Sequence, residues 1–313
     1  MAVPNGSTTG TGQITALVQA AYDQYVRMAL RSIPVMRALA DVKPVEQAMP
    51  GSSVVFSIYS DLAQATATLT ESSDVSSIAL GNPTQVTVTL NEYGSAVTTT
   101  KKLSLTSFND VDAALADIIA YNAADSIDNV VANVLTSGTN VLYGGTATST
   151  SSLGTTSLLT VADIRQAVTE LRTNKALPRM GELYAAYVHP RQAADLRAET
   201  GTGGFQELTK YVERTPFVAG AVGVIEGAYV VETPRVLVEN YGTPLIPKYA
   251  YKAVIAGREA LAEALAQDTS VVIGPEIDAL RRFRTIGWYL FGGWSLLRQA
   301  AIYRIETTAS ATN

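Results

Sequence analysis

The sequence predicts a mixed α+β fold, on three observations. From Gly51 the apolar residues alternate at strand spacing. A single helical stripe then runs from Val111 to Leu135. Beyond about residue 183 short alternating segments recur between Gly and Pro punctuation. With 313 residues, the chain is long enough for roughly two domains and, at 47% hydrophobic, apolar enough to bury a core.

Taken in order, residues 1–12 are small, polar and glycine-rich and read as a flexible arm. Ile14, Leu17, Val18, Ala21, Tyr22, Tyr25 and Val26 predict a helix over about 14–30, ended by Pro34 and by Lys43-Pro44. Val54, Phe56 and Ile58 make one strand, and Val86, Val88 and Leu90 a second. The 25 or so residues between them hold only scattered large apolar residues, Leu62, Leu69, Val75, Ile78 and Leu80. That is too long for a hairpin turn and too poor to fold alone. The reading is a long two-stranded arm without an adequate hydrophobic home in its own molecule, resting on something outside it.

The long helix is expected to be capped by Ser107, Asn109 or Asp110, stopped by Gly138, and about 38 Å long at 1.5 Å per residue. Asp110, Asp112, Asp117, Asp125 and Asp128 are placed on its polar side. A Gly/Ser/Thr loop spans 143–157, and a second helix 161–173 with Thr160 as its cap. A strand over 183–188 leads through His189-Pro190 into a short helix ending near Ala198. Strands are expected over 222–231, 235–239, 249–256, 288–291 and 296–306, a short helix over 258–267, and turns at Gly201–Gly204.

Composition removes whole classes of chemistry. There is no Cys, so no disulfide, thiolate nucleophile, iron–sulfur cluster or zinc knuckle, and one His excludes multi-His metal sites. The formal charge of −5 argues against tight nucleic-acid binding, and no apolar run approaches a membrane span. The start lacks the basic and apolar regions of a secretory signal, so a soluble, cytosol-made protein is expected. Only 16% of residues are charged, about two-thirds of the usual share, which leaves a surface suited to cover by another chain.

No catalytic, cofactor or metal residues are assigned. His189 is the one imidazole available to a hydrolase, but no nucleophile elbow accompanies it and it reads as a turn or packing residue. Gly201–Gly204 and Gly220, Gly223 and Gly227 lack the Lys-Ser/Thr of a phosphate loop. The aspartates of the long helix spread around its axis, where cation sites need convergence. Glu170 with Glu182, and Glu259 with Glu263, have no fixed carboxylate separation. Arg281, Arg282 and Arg284 around Phe283 read as an ion-pairing strand edge ahead of a nucleic-acid contact. Trp288, Tyr289, Phe291 and Trp294 read as core or interface anchors ahead of a base-stacking platform.

The order of the segments carries a resemblance. Met49-Pro50-Gly51-Ser52-Ser53-Val54-Val55-Phe56 opens the arm, which closes at Val86-Thr87-Val88-Thr89-Leu90-Asn91-Glu92-Tyr93-Gly94. Lys101-Lys102-Leu103-Ser104-Leu105-Thr106 and the long helix follow, then Tyr187-Val188-His189-Pro190 with Asp195-Leu196, Gly287-Trp288, and Ile302-Tyr303-Arg304-Ile305. Over nearly its whole length the chain resembles the major capsid proteins of tailed bacteriophages, in particular the branch grouped with phage N-four. The resemblance implies the Hong Kong ninety-seven capsid fold. It would comprise an N-terminal arm and helix (1–45), an extended β-hairpin loop (46–97) and a peripheral domain with a long spine helix (98–158). An axial domain (159–280) and C-terminal strands returning to the peripheral domain (281–313) would complete it.

The implied function is self-assembly, as hexamers and pentamers, into an icosahedral head shell around double-stranded DNA, which it touches weakly and without specificity. Scaffolding, portal and decoration proteins are the further partners; no membrane and no cofactor are implied. Some members cross-link through a loop Lys and an Asn on a neighbour, but no Lys lies between Lys43 and Lys101, so a non-covalent shell is expected. No long charged segment precedes the fold, which favours a separate scaffolding protein. A bacterial nanocompartment of the same fold, enclosing enzyme cargo, and a hydrolase using His189 are the alternative readings.

Overall fold

The computed structural model describes residues 33–44, 53–66, 68–69, 71, 74, 77–106, 111–200, 223–243, 245, 247–276 and 278–310. The expected arm and helix over 1–30, the caps at Ser107, Asn109 and Asp110, the turns at Gly201–Gly204, and Gly220 lie outside them.

Two sheets and one long helix make the body. The first sheet has four strands in the order β1 (Ala40–Pro44), β11 (Leu261–Ile273), β12 (Phe283–Leu296) and β4 (Asn91–Thr100). Only the β1–β11 pair is parallel. The second sheet runs β5 (Val141–Tyr143), β13 (Ile302–Thr307), β10 (Tyr249–Ala256), β6 (Tyr184–Val188), β8 (Ala228–Glu232) and β7 (Gly223–Ile225). β9 (Val238–Asn240) pairs with the start of β10 along the edge whose far end holds β6. A separate two-stranded ribbon pairs β2 (Ser53–Ile58) with β3 (Thr84–Thr89), Ser53 opposite Thr89 and Ile58 opposite Thr84.

The 25-residue helix α2 (Val111–Leu135) is the element both sheets share. Its buried residues Ile119, Ala123, Ile127, Val131 and Leu135 recur every four positions, the spacing that keeps one helix face together. They pack on Ile286, Trp288, Leu290 and Trp294 of the first sheet and on Ala185, Tyr187, Val254 and Ala256 of the second. Ile118, an apolar residue within the span of the stripe, instead faces solvent. The other face of the second sheet is covered by α3 (Val161–Thr173) and α4 (Pro190–Ala198), which bury Ala186, Val188, Ala253 and Ile255. All five residues of β6 are therefore buried, as a strand covered on both faces requires. Thr160 caps α3: its hydroxyl accepts from the Asp163 N–H, and the Asp163 carboxylate accepts in return from the Thr160 N–H at 2.9 Å.

Several sequence expectations are corrected. Residues 258–267 are not a helix: 258–260 turn, and 261–267 are the start of β11. Leu-Ala-Glu-Ala-Leu-Ala is helix-forming in isolation, yet this strand has the hairpin base on one face and the core of α2 on the other, and packing overrides propensity. In place of the one strand expected over 222–231, Gly223–Ile225 and Ala228–Glu232 form two strands, turned at Glu226 and Gly227, both with positive φ as a tight two-residue hairpin turn needs. The strand expected over 235–239 shifts to Val238–Asn240, because Arg235 is held in a loop by α2. Residues 288–291 are the middle of the 14-residue β12, and the strand expected over 296–306 is interrupted by a 3-10 turn at Gln299–Ala301.

Candidate assembly surfaces

The ribbon β2–β3 has a dry base and a wet tip. At the base, Val88 and Leu90 are buried against Ala262 and Ala264, with Val54, Phe56, Phe291 and Leu297 around them. Gly293 makes this contact possible, since a Cβ there would run into the Thr89 carbonyl. The expectation that residues 46–97 lack a hydrophobic home is thus corrected for the base: small alanines on β11 leave room for it. It describes the tip. Between the strands Tyr59, Leu62, Leu69, Ile78 and Leu80 are all exposed, Leu69 by 76% and Ile78 by 68%. The described residues from 59 to 83 form no helix or strand.

The segment leading out of residues 1–32 is tied down at three places. Asp128, buried on α2, accepts from the Met36 N–H at 2.6 Å and the Arg37 N–H at 3.3 Å. The Arg37 guanidinium grips the fully buried Glu263 of β11 at 2.6 and 3.0 Å. Burial opposes the Arg37 charge, but Glu263 outweighs it and the guanidinium pKa is raised. Arg179 donates to the Ala38 and Ala40 carbonyls at 2.9 and 3.1 Å. Asp128 also binds Arg235 at 3.2 Å, and Asp125 contacts the same guanidinium. The placing of Asp128 on the polar side of the helix is therefore corrected: it flanks the Ile127–Val131 stripe, and a mostly buried cation partner 107 residues away was not visible in the periodicity.

A basic corner forms where β4 ends. Thr100 pairs with Phe283, and the Lys101 N–H donates to the Arg282 carbonyl at 2.8 Å. This brings Lys101 and Lys102, at the start of α1 (Lys101–Thr106), beside Arg281, Arg282 and Arg284, all exposed. Arg282 pairs with Asp278 at 2.6 Å and lies 5.5 Å from the Phe283 ring centroid. The lysines were missed as members of this cluster because only strand pairing, not sequence spacing, joins them to the arginines.

The remaining candidates have structural partners. His189 caps α4: its Nδ1 accepts from the Arg191 N–H at 3.2 Å, and its ring lies 4.7 Å from that of Tyr251. Burial, helped by the Arg191 charge, lowers its pKa to about 4. A base with a depressed pKa binds fewer protons folded than unfolded, so its contribution to stability falls as pH drops from about 6.5 to about 4 and is flat below. His189→Asn keeps a capping oxygen but does not titrate. Thermal unfolding across pH 4–7 is expected to show a steeper acid loss for the native chain than for this variant; parallel curves would contradict the assignment.

Glu259 pairs with Arg298 at 2.7 Å on an exposed turn while Glu263 is buried on Arg37, so the two do not act together. Glu170 lies on α3 and Glu182 in the turn before β6, and Gly223 and Gly227 belong to the β7–β8 hairpin. Trp288 donates to Asn122 Oδ1 at 2.9 Å and Trp294 stacks near Tyr93, both in the core. Among the described residues no group of three or more His, Asp or Glu side chains could hold a metal ion, and no helix is long and apolar enough to cross a membrane.

Comparison with known proteins agrees with a protein built around outward-facing assembly surfaces. The family model described as phage capsid protein matches residues 8–303. The fold is that of the capsid of cyanophage P-SCSP1u (16% identity, 99% of this chain and 97% of that one, TM-score 0.73). It is equally that of the capsid of Ralstonia phage GP4 (17%, 99% and 100%, 0.73). The capsid of Helicobacter pylori bacteriophage KHP30 is also similar (14%, 98% and 100%, 0.73). No curated protein matches the chain significantly. A body with α2 as its shared support, a hairpin tip left wet and a family match over nearly the whole length lead to one conclusion: this chain belongs to the phage capsid protein family and is a major capsid protein forming the head shell of the virion.

Proposed function

We propose that the chain builds this shell as hexamers and pentamers of an icosahedral lattice, with the Hong Kong ninety-seven division of labour. Residues 1–45 are the arm, 46–97 the extended loop, 98–158 the peripheral domain with α2 as spine helix, 159–280 the axial domain, and 281–313 the returning strands. The observation that carries this is the wet hairpin tip. Five large apolar side chains left in water each forgo about 1.5–3 kcal/mol available on burial, and a neighbouring copy offers that burial. The fixed exit at Met36–Arg37 supports an arm that reaches outward from a rigid point.

The role proposed is mechanical, not enzymatic, since the one imidazole is engaged as a helix cap. Genomic DNA is proposed as a weakly held content, in keeping with the net charge of −5, and scaffolding, portal and decoration proteins as further partners. Electron microscopy of purified particles, with nucleic-acid absorbance, tests the reading. Closed shells carrying DNA are expected; shells enclosing protein alone would favour a nanocompartment, and a persistent monomer would contradict both. No Lys lies from residue 44 to 100, so boiled particles should run as a single chain on denaturing gels, and a ladder of multimers would refute the non-covalent shell.

A further inference from the structure

A cavity of about 230 Å³ lies beside the turn that joins β9 to β10. Tyr241, Tyr249, Tyr251 and Pro247 line it, so most of its wall is apolar, and Lys248 is its one charged residue. Every wall is tied down. The Tyr241 N–H donates to the Lys248 carbonyl at 2.9 Å, which closes the turn. The Tyr241 hydroxyl donates to the Leu153 carbonyl at 2.9 Å, which joins the turn to the Gly/Ser/Thr loop. Just past β13, the Thr308 hydroxyl donates to the Gly154 carbonyl at 2.8 Å and its N–H to the Ser157 carbonyl at 2.9 Å. The buried Asp195 carboxylate of α4 accepts from the Ser310 N–H at 3.0 Å and so holds the same segment. Arg191 fixes Tyr251 by donating to its hydroxyl at 3.0 Å. The cup is therefore preformed. Among the described residues the Lys248 ammonium and the Tyr249 hydroxyl, both at this cup, have no hydrogen-bond or ion-pair partner.

We infer that this cup is a docking site for an extended, proline-bearing segment of a different protein, with an acidic residue beside the proline. Aromatic-lined hollows take such segments because a polyproline II chain is already extended and loses little freedom on binding. Its backbone carbonyls are unpaired, and the free Tyr249 hydroxyl can donate to one of them. Lys248 supplies the charge that selects the neighbouring carboxylate. Other occupants fit less well. Sites for whole cofactors and drug-sized ligands run to about 300–1,000 Å³, so this cup takes part of a chain. One cation is too few for a polyphosphate. The hydroxyls of Tyr241, Tyr251 and Thr308 are engaged within the chain, which leaves little for the many hydroxyls of a sugar. The chain's own Pro275-Glu276 follows Gly274, whose N–H is bonded to the Thr285 carbonyl, so that segment is held at its hairpin and is not a free strand. All the walls belong to one chain, so the site is present in a single subunit and does not depend on how copies meet in a shell.

Calorimetric titration of the full, unassembled chain with the blocked peptide Ala-Pro-Pro-Glu-Pro-Ala tests it. Saturable binding of one peptide per chain is expected. Replacing the prolines of the peptide by Ala, or its Glu by Lys, should weaken binding about tenfold or more. Lys248→Glu should weaken the Glu peptide equally, and the Lys peptide should recover to within about threefold on that variant. Gly154→Leu blocks the cup directly: a side chain at Gly154 meets no atom of its own chain within 4 Å, so the hollow fills without moving its walls. This variant should lose binding while its circular dichroism and thermal unfolding stay those of the native chain. If it fails to fold, Tyr249→Phe serves in its place. That variant keeps the ring, loses the free hydroxyl, and should bind about threefold more weakly or worse. No binding by the peptide, equal binding of the Ala and Pro peptides, or full binding to folded Gly154→Leu would each overturn the site. So would displacement of the peptide by glucuronate, which would assign the cup to acidic sugars. Self-association that Gly154→Leu abolishes would assign it to a second copy and overturn the proposal as well.

Discussion

Asp128→Ala is expected to cost the unassembled chain about 3 kcal/mol in denaturant unfolding. Its carboxylate is almost completely buried and holds three groups at once: the Met36 and Arg37 N–H groups and the Arg235 guanidinium. Truncation leaves two donors without an acceptor and a mostly buried cation sharing only Asp125. Asp128→Asn retains an acceptor for the backbone donors and loses only the charge, so its penalty should be about half as large. A loss below about 1 kcal/mol for the alanine variant would mean that these bonds do not tie the 33–44 segment to α2.

Gly293→Ala should unseat the hairpin. The added methyl would meet the Thr89 carbonyl, a backbone atom that cannot swing aside, so the ribbon must lift off Ala262 and Ala264. Re-exposing Val88 and Leu90, both buried here, costs about 3 kcal/mol or more. Hydrogen exchange localises the effect: protection at residues 86–90 should fall by at least tenfold while β6 and β10 keep theirs. Unchanged protection in β3 would show that the base is not anchored through this contact.

Much of the fold could be read from periodicity. The stripe of α2, the Thr160 cap of α3, the β10 strand and both strands of the hairpin stand where spacing places them, because each has one buried face or two and its neighbours in sequence report it. What escaped depends on distant chain. β11 is stabilised as a strand by β12 and by the hairpin base, not by its own helix-forming alanines. β12 looked broken at its glycines, yet Gly287 and Gly293 are where other backbone passes too close for a Cβ. Arg37 and Glu263 are 226 residues apart, and a buried ion pair of that span leaves no local pattern. The assembly surfaces divide in the same way. The apolar poverty and missing lysines of 59–83 are visible in the chain itself, while the basic corner exists only once β4 pairs with β12.

Hydroxyl-radical footprinting of the same chain before and after assembly bears most directly on whether the outstretched ribbon needs another copy. Side chains at Tyr59, Leu62, Leu69, Ile78 and Leu80 should be labelled freely in the unassembled protein and several-fold less in closed shells, with Val88 and Leu90 protected in both. Equal labelling of the five tip residues in subunit and shell would show that no neighbour covers them.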